Sequence, residues 1–148
     1  MAVNIEELQE VSGDALDDVN RLLRQLDETA QSLTQEELEN IVAGEDADFF
    51  VVRDGERIIG MGTLVELRST IGHRARIEDV VVDETYRGQG LGKQLTETMI
   101  TRAREKGIIL LELSSRPSRE AANALYQKIG FVRKETNVYV LRLQNGKR

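Results

Sequence analysis

The chain of 148 residues has no cysteine and no tryptophan, one proline (Pro117) and one histidine (His73). Without cysteine there can be no disulfide framework, no thiolate zinc site and no cysteine nucleophile. A lone histidine removes histidine-pair metal sites and argues against a serine–histidine triad, so no metal is expected. Aromatic residues are scarce, three Phe and three Tyr in a chain of net charge −6. That supplies neither a stacking platform nor an extensive basic surface for nucleic acid. No apolar run approaches the length that spans a bilayer, and the opening "MAVNIEELQEVSGDALDD" lacks the basic start and apolar core of a secretory signal. The expectation is a soluble, cytoplasmic protein with no nucleic-acid or membrane partner.

What is present fits one domain spanning residues 1–148. At 16.7 kDa such a chain can bury roughly two-thirds of its unfolded surface around a single core. Its charge is divided along its length. Residues 1–83 carry 20 acidic and 7 basic side chains, and residues 84–148 carry 6 acidic and 13 basic, which is −13 followed by +7. This division suits an anionic ligand on the C-terminal half and a cationic one on the N-terminal half; two differently solvated surfaces would explain it equally well.

The order of elements read from periodicity is β, α, α, β, β, β, α, β, α, β, β. "VNIEELQEV" reads as a strand. Leu16, Val19, Leu22, Leu23 and Leu26 then recur at helical spacing after Ser12, a candidate cap. Thr34 with Glu37 three residues on forms a capping box that opens a second helix ending at Gly44. Asp54-Gly55 favours a tight turn between two β-rich runs. "RARIEDVVVDE" is a strand whose unbroken Val80, Val81 and Val82 suit a position covered on both faces. A helix follows with Leu91, Leu95, Met99 and Ala103 on one stripe, then the strand "IILLELSS" and a helix capped by Ser118. "FVRKETNVYVLRL" closes the chain as a strand pair turning near Asn137. His73 falls in a loop.

Residues 75–114 therefore form a βαβ unit, expected to be a parallel pair. Between its strand and its helix lies "RGQGLGKQ", with Gly88, Gly90 and Gly92 in five positions. Open α/β sheets bind ligands at this place, and a helix N-terminus offers free N–H groups and partial positive charge to phosphate. Glycines let the backbone approach closely enough for its amides to surround a pyrophosphate, with Arg87 and Lys93 adding charge. The spacing is not that of a Walker A loop, because Arg87 stands at its first glycine and Gln94 follows Lys93. Nor is it the dinucleotide G-x-G-x-x-G, because Lys93 occupies the third glycine position.

What remains, R-G-Q-G-L-G, resembles the R/Q-x-x-G-x-G/A loop of the GNAT superfamily of acyl-CoA-dependent N-acyltransferases. "IEDVVVDETYRGQGLGKQL" follows that family's valine strand, short loop, glycine signature and long helix. "LYQKIGF", Leu125 to Phe131, resembles its Leu-Tyr-x-Lys-x-Gly-Phe helix end. The resemblance covers nearly the whole chain. It implies an α/β fold, α+β in its mixed sheet: a central, mostly antiparallel sheet with a parallel βαβ pair splayed at the coenzyme A site, flanked by four helices.

The resemblance also implies acetyl-CoA as co-substrate and a small amine as acceptor, a primary amine that attacks directly, on a small molecule or a peptide N-terminus. The backbone at Val80, Val81 and Val82 would bond the pantetheine arm, and Arg87, Gly88, Gln89, Gly90, Leu91, Gly92 and Lys93 would hold the pyrophosphate. Tyr126 aligns with the tyrosine that protonates the departing thiolate in many members; a thiol titrates near ~8.5 and a phenol near ~10, so the phenol can deliver its proton to the sulfur. Its alternative is a core aromatic. The asparagine often found seven residues before that tyrosine is replaced by Arg119, which leaves Asn123, three before it, as the candidate for a cofactor contact. Glu78 and Asp79 precede the valines, and alternation sends them to opposite faces. Glu78 is the chosen base or water relay, its pKa expected to rise in a partly buried cleft; it could equally be a structural carboxylate paired with Arg74 or Arg76. A non-catalytic coenzyme-A-binding regulatory domain on the same fold is the alternative function, and a homodimer is left open.

Overall fold

The computed structural model describes residues 3–144. The chain divides into two compact units, the first ending at Leu113 and the second beginning at Ser114. In the first unit, β1 (Val3–Glu7) leads to helices α1 (Gly13–Leu26) and α2 (Gln35–Ala43), then to β2 (Ala47–Asp54), β3 (Arg57–Ser69) and β4 (Gly72–Val82). A short 3-10 turn (Glu84–Tyr86), α3 (Leu91–Glu105) and β5 (Leu110–Glu112) follow. The strands lie in chain order, antiparallel from β1 to β4, with β5 parallel to β4. No helix among the described residues is long and apolar enough to cross a membrane.

Local chemistry explains the starts of the first two helices. The Ser12 hydroxyl accepts from Ala15 N–H at 3.1 Å, and Thr34 and Glu37 close a reciprocal capping box, 3.2 and 3.0 Å. Gly55 sits at φ 61 in the β2–β3 turn, as an Asp-Gly hairpin requires. Because β2 alternates, Phe49 and Val51 join Leu22, Leu23, Leu38, Ile58 and Met61 in the core under α1 and α2. Phe50 points the other way, where the Arg102 guanidinium of α3 lies 5.1 Å from its ring centroid. Leu91, Leu95, Met99 and Ala103 of α3 are all buried, each contributing roughly 1.5–3 kcal/mol for a full-sized side chain. The result is the mixed five-stranded sheet between helices that the sequence implied.

In the second unit, α4 (Glu120–Ile129) starts from Arg119, with no side-chain cap. Ser118 therefore lies outside the helix and does not cap it; it falls within the bend that follows Pro117. The expected closing strand pair is also absent: among the described residues no strand forms between 131 and 143. A strand exists through its ladder partner, and β propensity alone does not create one. His73 lies within β4, paired opposite Arg68, and not in a loop.

Candidate functional site

The site begins with an irregularity in β4. Thr63 pairs with Glu78 and Met61 with Val81, so Asp79 and Val80 together face the single residue Gly62. This is a β-bulge, with Asp79 in the left-handed region at φ 56. Gly62 is needed opposite it: a Cβ there would meet Met99 Cε at 3.0 Å and Val80 Cγ2 at 3.3 Å. The bulge overturns the simple alternation expected of the acidic pair. Glu78 and Val81, opposite residues two apart on β3, share a face, and Asp79 is the residue that makes the correction. Val81 is buried beneath α1, while Val80 and Val82 are half-buried. The ladder from β4 to β5 ends at Arg76–Glu112. From Ile77 onward the edge of β4 away from β3 has no strand beside it, which is the splay of the parallel pair.

The chain leaves β4 through a firmly held turn. Asp83 N–H donates to Ile59 O at 2.8 Å, and its carboxylate accepts from Thr85 N–H and Oγ1, each at 3.0 Å. Arg21 of α1 reaches the same carboxylate at 3.0 Å while donating to Ile58 O at 3.0 Å and to Asp18 at 2.6 Å. Burial alone would push Asp83 up, but Thr85 and Arg21 offset it and hold the carboxyl below its usual range. Tyr86 Oη donates to Asp54 at 2.6 Å, and Arg87 Nε donates to Val82 O at 3.0 Å.

Restraint ends at the glycines. Gly88 and Gly90 adopt φ 80 and φ 79, conformations that side chains disfavour, and no atom lies within 4 Å of where a Cβ would stand on either. Gly90 caps α3 with no side chain closing the first turn. Gln94 N–H donates to Gly90 O at 3.1 Å, so the amides of Leu91, Gly92 and Lys93 precede the first intrahelical bond. Arg87, Gln89 and Lys93 are exposed around them. The predicted loop is thus assembled as one surface.

Beside the bulge, Glu78 accepts from Arg76 Nε at 2.7 Å. Arg76 also bonds Glu112 at 3.4 Å, and Arg74 lies 3.6 Å from the same carboxylate. The arginine pairing foreseen as one option for Glu78 is therefore present, and it fixes where the carboxylate stands. In the second unit Tyr126 is 7% exposed, its ring edge-on to Phe131 at 6.0 Å. Burial raises the Tyr126 pKa above the ordinary 10.0, with Arg119 opposing weakly. Asn123 Nδ2 donates to Arg116 O at 2.9 Å, so its amide secures the turn before α4. The Asp18–Arg21–Asp83 cluster escaped the sequence reading; the i,i+3 spacing of Asp18 and Arg21 was its visible half.

An open strand edge running into a glycine-opened helix agrees with comparison to known proteins. The profile of the acetyltransferase (GNAT) family matches residues 16–131. This chain belongs to the GNAT family. A glucosamine 6-phosphate N-acetyltransferase of Trypanosoma brucei brucei is 42% identical over 78 residues, 51% of each chain. A ribosomal protein bS18 alanine N-acetyltransferase of Escherichia coli is 32% identical over 89 residues, 55% of this chain and 60% of that protein. The GNAT chain spans about half the length of the curated relatives it matches. Among solved structures, an acetyltransferase of Trypanosoma brucei superposes with a TM-score of 0.78 at 30% identity, covering 95% of this chain and 100% of the other. An aminoglycoside acetyltransferase from a soil metagenome superposes at 0.84 and 22% identity, 97% of each, a likeness of fold.

GNAT acetyltransferases use acetyl-CoA as co-substrate. The residues of this GNAT chain fit that group. Empty space surrounds the two positive-φ glycines, amides at the start of α3 lack a side-chain cap, and β4 is unladdered beyond Arg76 on the same path.

Proposed function

We propose that the chain is an N-acetyltransferase that moves the acetyl group of acetyl-CoA to a primary amine on a small molecule or a peptide N-terminus. The observation that carries this reading is the continuity of the open β4 edge with the glycine-opened start of α3. The amides of residues 88–93, with Arg87 and Lys93, bind the pyrophosphate, and the backbone of Val80, Val81 and Val82 bonds the pantetheine arm as an added strand would. Asn123, engaged with Arg116 O, has a weaker claim to a cofactor contact. Bound there, acetyl-CoA supplies an activated acetyl thioester.

In this reading Glu78 takes a proton from the incoming ammonium, directly or through one water, and Arg76 holds its carboxylate in place. Asp79 shapes the strand through its bulge. Tyr126 retains its phenolic proton well past neutrality because burial disfavours the phenolate, so it is charged with the proton that the leaving sulfur requires. The acceptor side carries no large net charge: Arg74 and Arg76 are balanced by Glu78 and Glu112. The acidic N-terminal half favours cationic amines, and kcat/KM for matched amines with and without a phosphate, in the parent and in Arg74→Ala, measures how far that local balance cancels the preference.

The deciding experiment is a screen of amines, amino sugars, polyamines and peptide N-termini with acetyl-CoA, reading released thiol, on the parent and on Tyr126→Phe. Turnover in the parent with a loss on the order of 10²-fold in the variant, at nearly unchanged coenzyme A affinity, is expected. Full activity in Tyr126→Phe returns the tyrosine to a packing role, and binding without any turnover makes the chain a coenzyme A sensor.

A further inference from the structure

Solvent exposes two sets of apolar side chains in this chain, and they have complementary forms. The first set lies on the segment 131–143, where Val132, Val138, Tyr139, Val140, Leu141 and Leu143 are 78–88% exposed. Single exposed apolar residues are ordinary on protein surfaces. Six within twelve positions, on a proline-free stretch rich in β-branched and aromatic residues, mark a surface meant to be covered.

The second set lies at the end of the sheet. β5 pairs with β4 over three residues and is the last strand, so its outer backbone groups form an open edge among the described residues. Leu110 and Leu67 both oppose Arg74 and so share one face, at 47% and 36% exposure. Ile109 and Ile71 are exposed beside them, Ile109 lying 2.7 Å from where a Gly72 Cβ would stand. An apolar open edge of this kind is a template for a further strand.

Charge points the same way. Residues 1–113 hold 24 acidic and 12 basic side chains, a net −12, whereas residues 114–148 hold 2 acidic and 8 basic, a net +6. Arg133, Lys134 and Arg142 bring that positive charge onto the uncovered segment itself. A strand-forming segment and an acidic open-edged sheet are thus carried on one chain, with the segment uncovered in the single copy. We propose that segment 131–143 of one chain adds to the sheet of a second copy along its β5 edge, and that the exchange is reciprocal. Because each copy gives a strand and receives one, the assembly closes as a two-fold dimer and leaves neither edge free.

The absence of cysteine makes the test clean. Chains carrying Leu110→Cys and Tyr139→Cys singly are co-expressed and treated with a short bis-maleimide, alongside a chain carrying both, and the untreated parent is sized by light scattering. The expected results are a parent mass twice the 16.7 kDa of the chain and a cross-linked heterodimer from the mixed single variants. Val138→Asp together with Val140→Asp should halve the measured mass while the helical circular dichroism persists. A parent that is monomeric at tens of micromolar overturns the proposal, and so does cross-linking confined within the doubly substituted chain. These readouts concern assembly alone and are independent of any acetyl transfer.

Discussion

Helix α3 begins and ends under opposite rules. At its N-terminus, Gly90 offers no side chain to the first turn, neighbouring glycines hold positive φ, and the space around them is empty. At its C-terminus, Lys106 bonds Glu66 and Asp48, each at 2.9 Å, and Arg102 bonds Glu7 at 2.9 Å and Asp48 at 3.1 Å. His73 adds a third contact to Glu66 at 2.7 Å. The cations at that end also match the negative pole of the helix dipole. A polar group satisfied within the chain fixes one element on another. A polar group left open addresses something outside the chain, and its cost in solvent is small because water serves until a ligand arrives.

The largest effect should come from closing the open end. Gly90→Val puts a β-branched side chain at positive φ in the path of the phosphates, so the rise in melting temperature on adding acetyl-CoA should vanish. At a hundredfold excess over Kd that removes about 2.7 kcal/mol of ligand stabilisation. An unchanged rise in a folded variant breaks the comparison.

Opening the closed end should do the reverse. Lys106→Met leaves Asp48 and Glu66 facing each other without their shared cation; we expect a loss of about 1–3 kcal/mol in denaturant unfolding, with acetyl-CoA affinity unaltered. Loss of affinity instead would mean that the two ends are coupled.

Acid sharpens the contrast further. The Lys106 hydrogen bond holds Glu66 below the ordinary 4.5 despite its burial, and Asp83 stands below 3.8. The unfolded chain therefore binds more protons than the folded one in this range. The stabilisation is complete above those ordinary values and is lost as pH falls through the depressed ones. Urea midpoints should decline below about pH 4.5, and Glu66→Gln should flatten that decline.

The smallest change concerns the bulge that leads into the open end. Asp79→Gly removes left-handed strain but adds freedom to the unfolded chain, so stability should move by no more than about 0.5 kcal/mol, whereas Asp79→Val should cost about 1–3 kcal/mol. Equal behaviour of the two variants in thermal unfolding would show that the backbone at Asp79 carries no strain.

The features legible in the sequence were those whose causes are near neighbours. Ser12, the Thr34–Glu37 box, the Asp54-Gly55 turn and the glycine spacing each act within a few residues, and each appears where it was expected. The bulge was not legible, because it depends on Gly62 and Met99 approaching β4 from elsewhere in the chain. The saturated end of α3 draws on Glu7, Asp48 and Glu66, as far as 95 positions away from Arg102. Ser118 misled because a good capping residue still needs the chain to enter the helix at that point, and after Pro117 it enters one residue later. The closing strand pair misled for the reason that makes it interesting: propensity describes what a segment can pair as, and says nothing of where the partner is.

The Arg21 bridge sets the terms on which this protein can be altered. By tying α1 at once to Asp18, Ile58 O and Asp83, it makes the angular position of one helical residue a condition for the turn that presents the glycines. Inserting one residue between Ser12 and Arg21 would rotate Arg21 about 100° around the helix relative to the start of α1. The same insertion in the exposed stretch after Asp27 would leave that angle untouched. Variation in the α1–α2 connection is therefore cheap and can accumulate, while the first two and a half turns of α1 must be inherited or replaced as a unit.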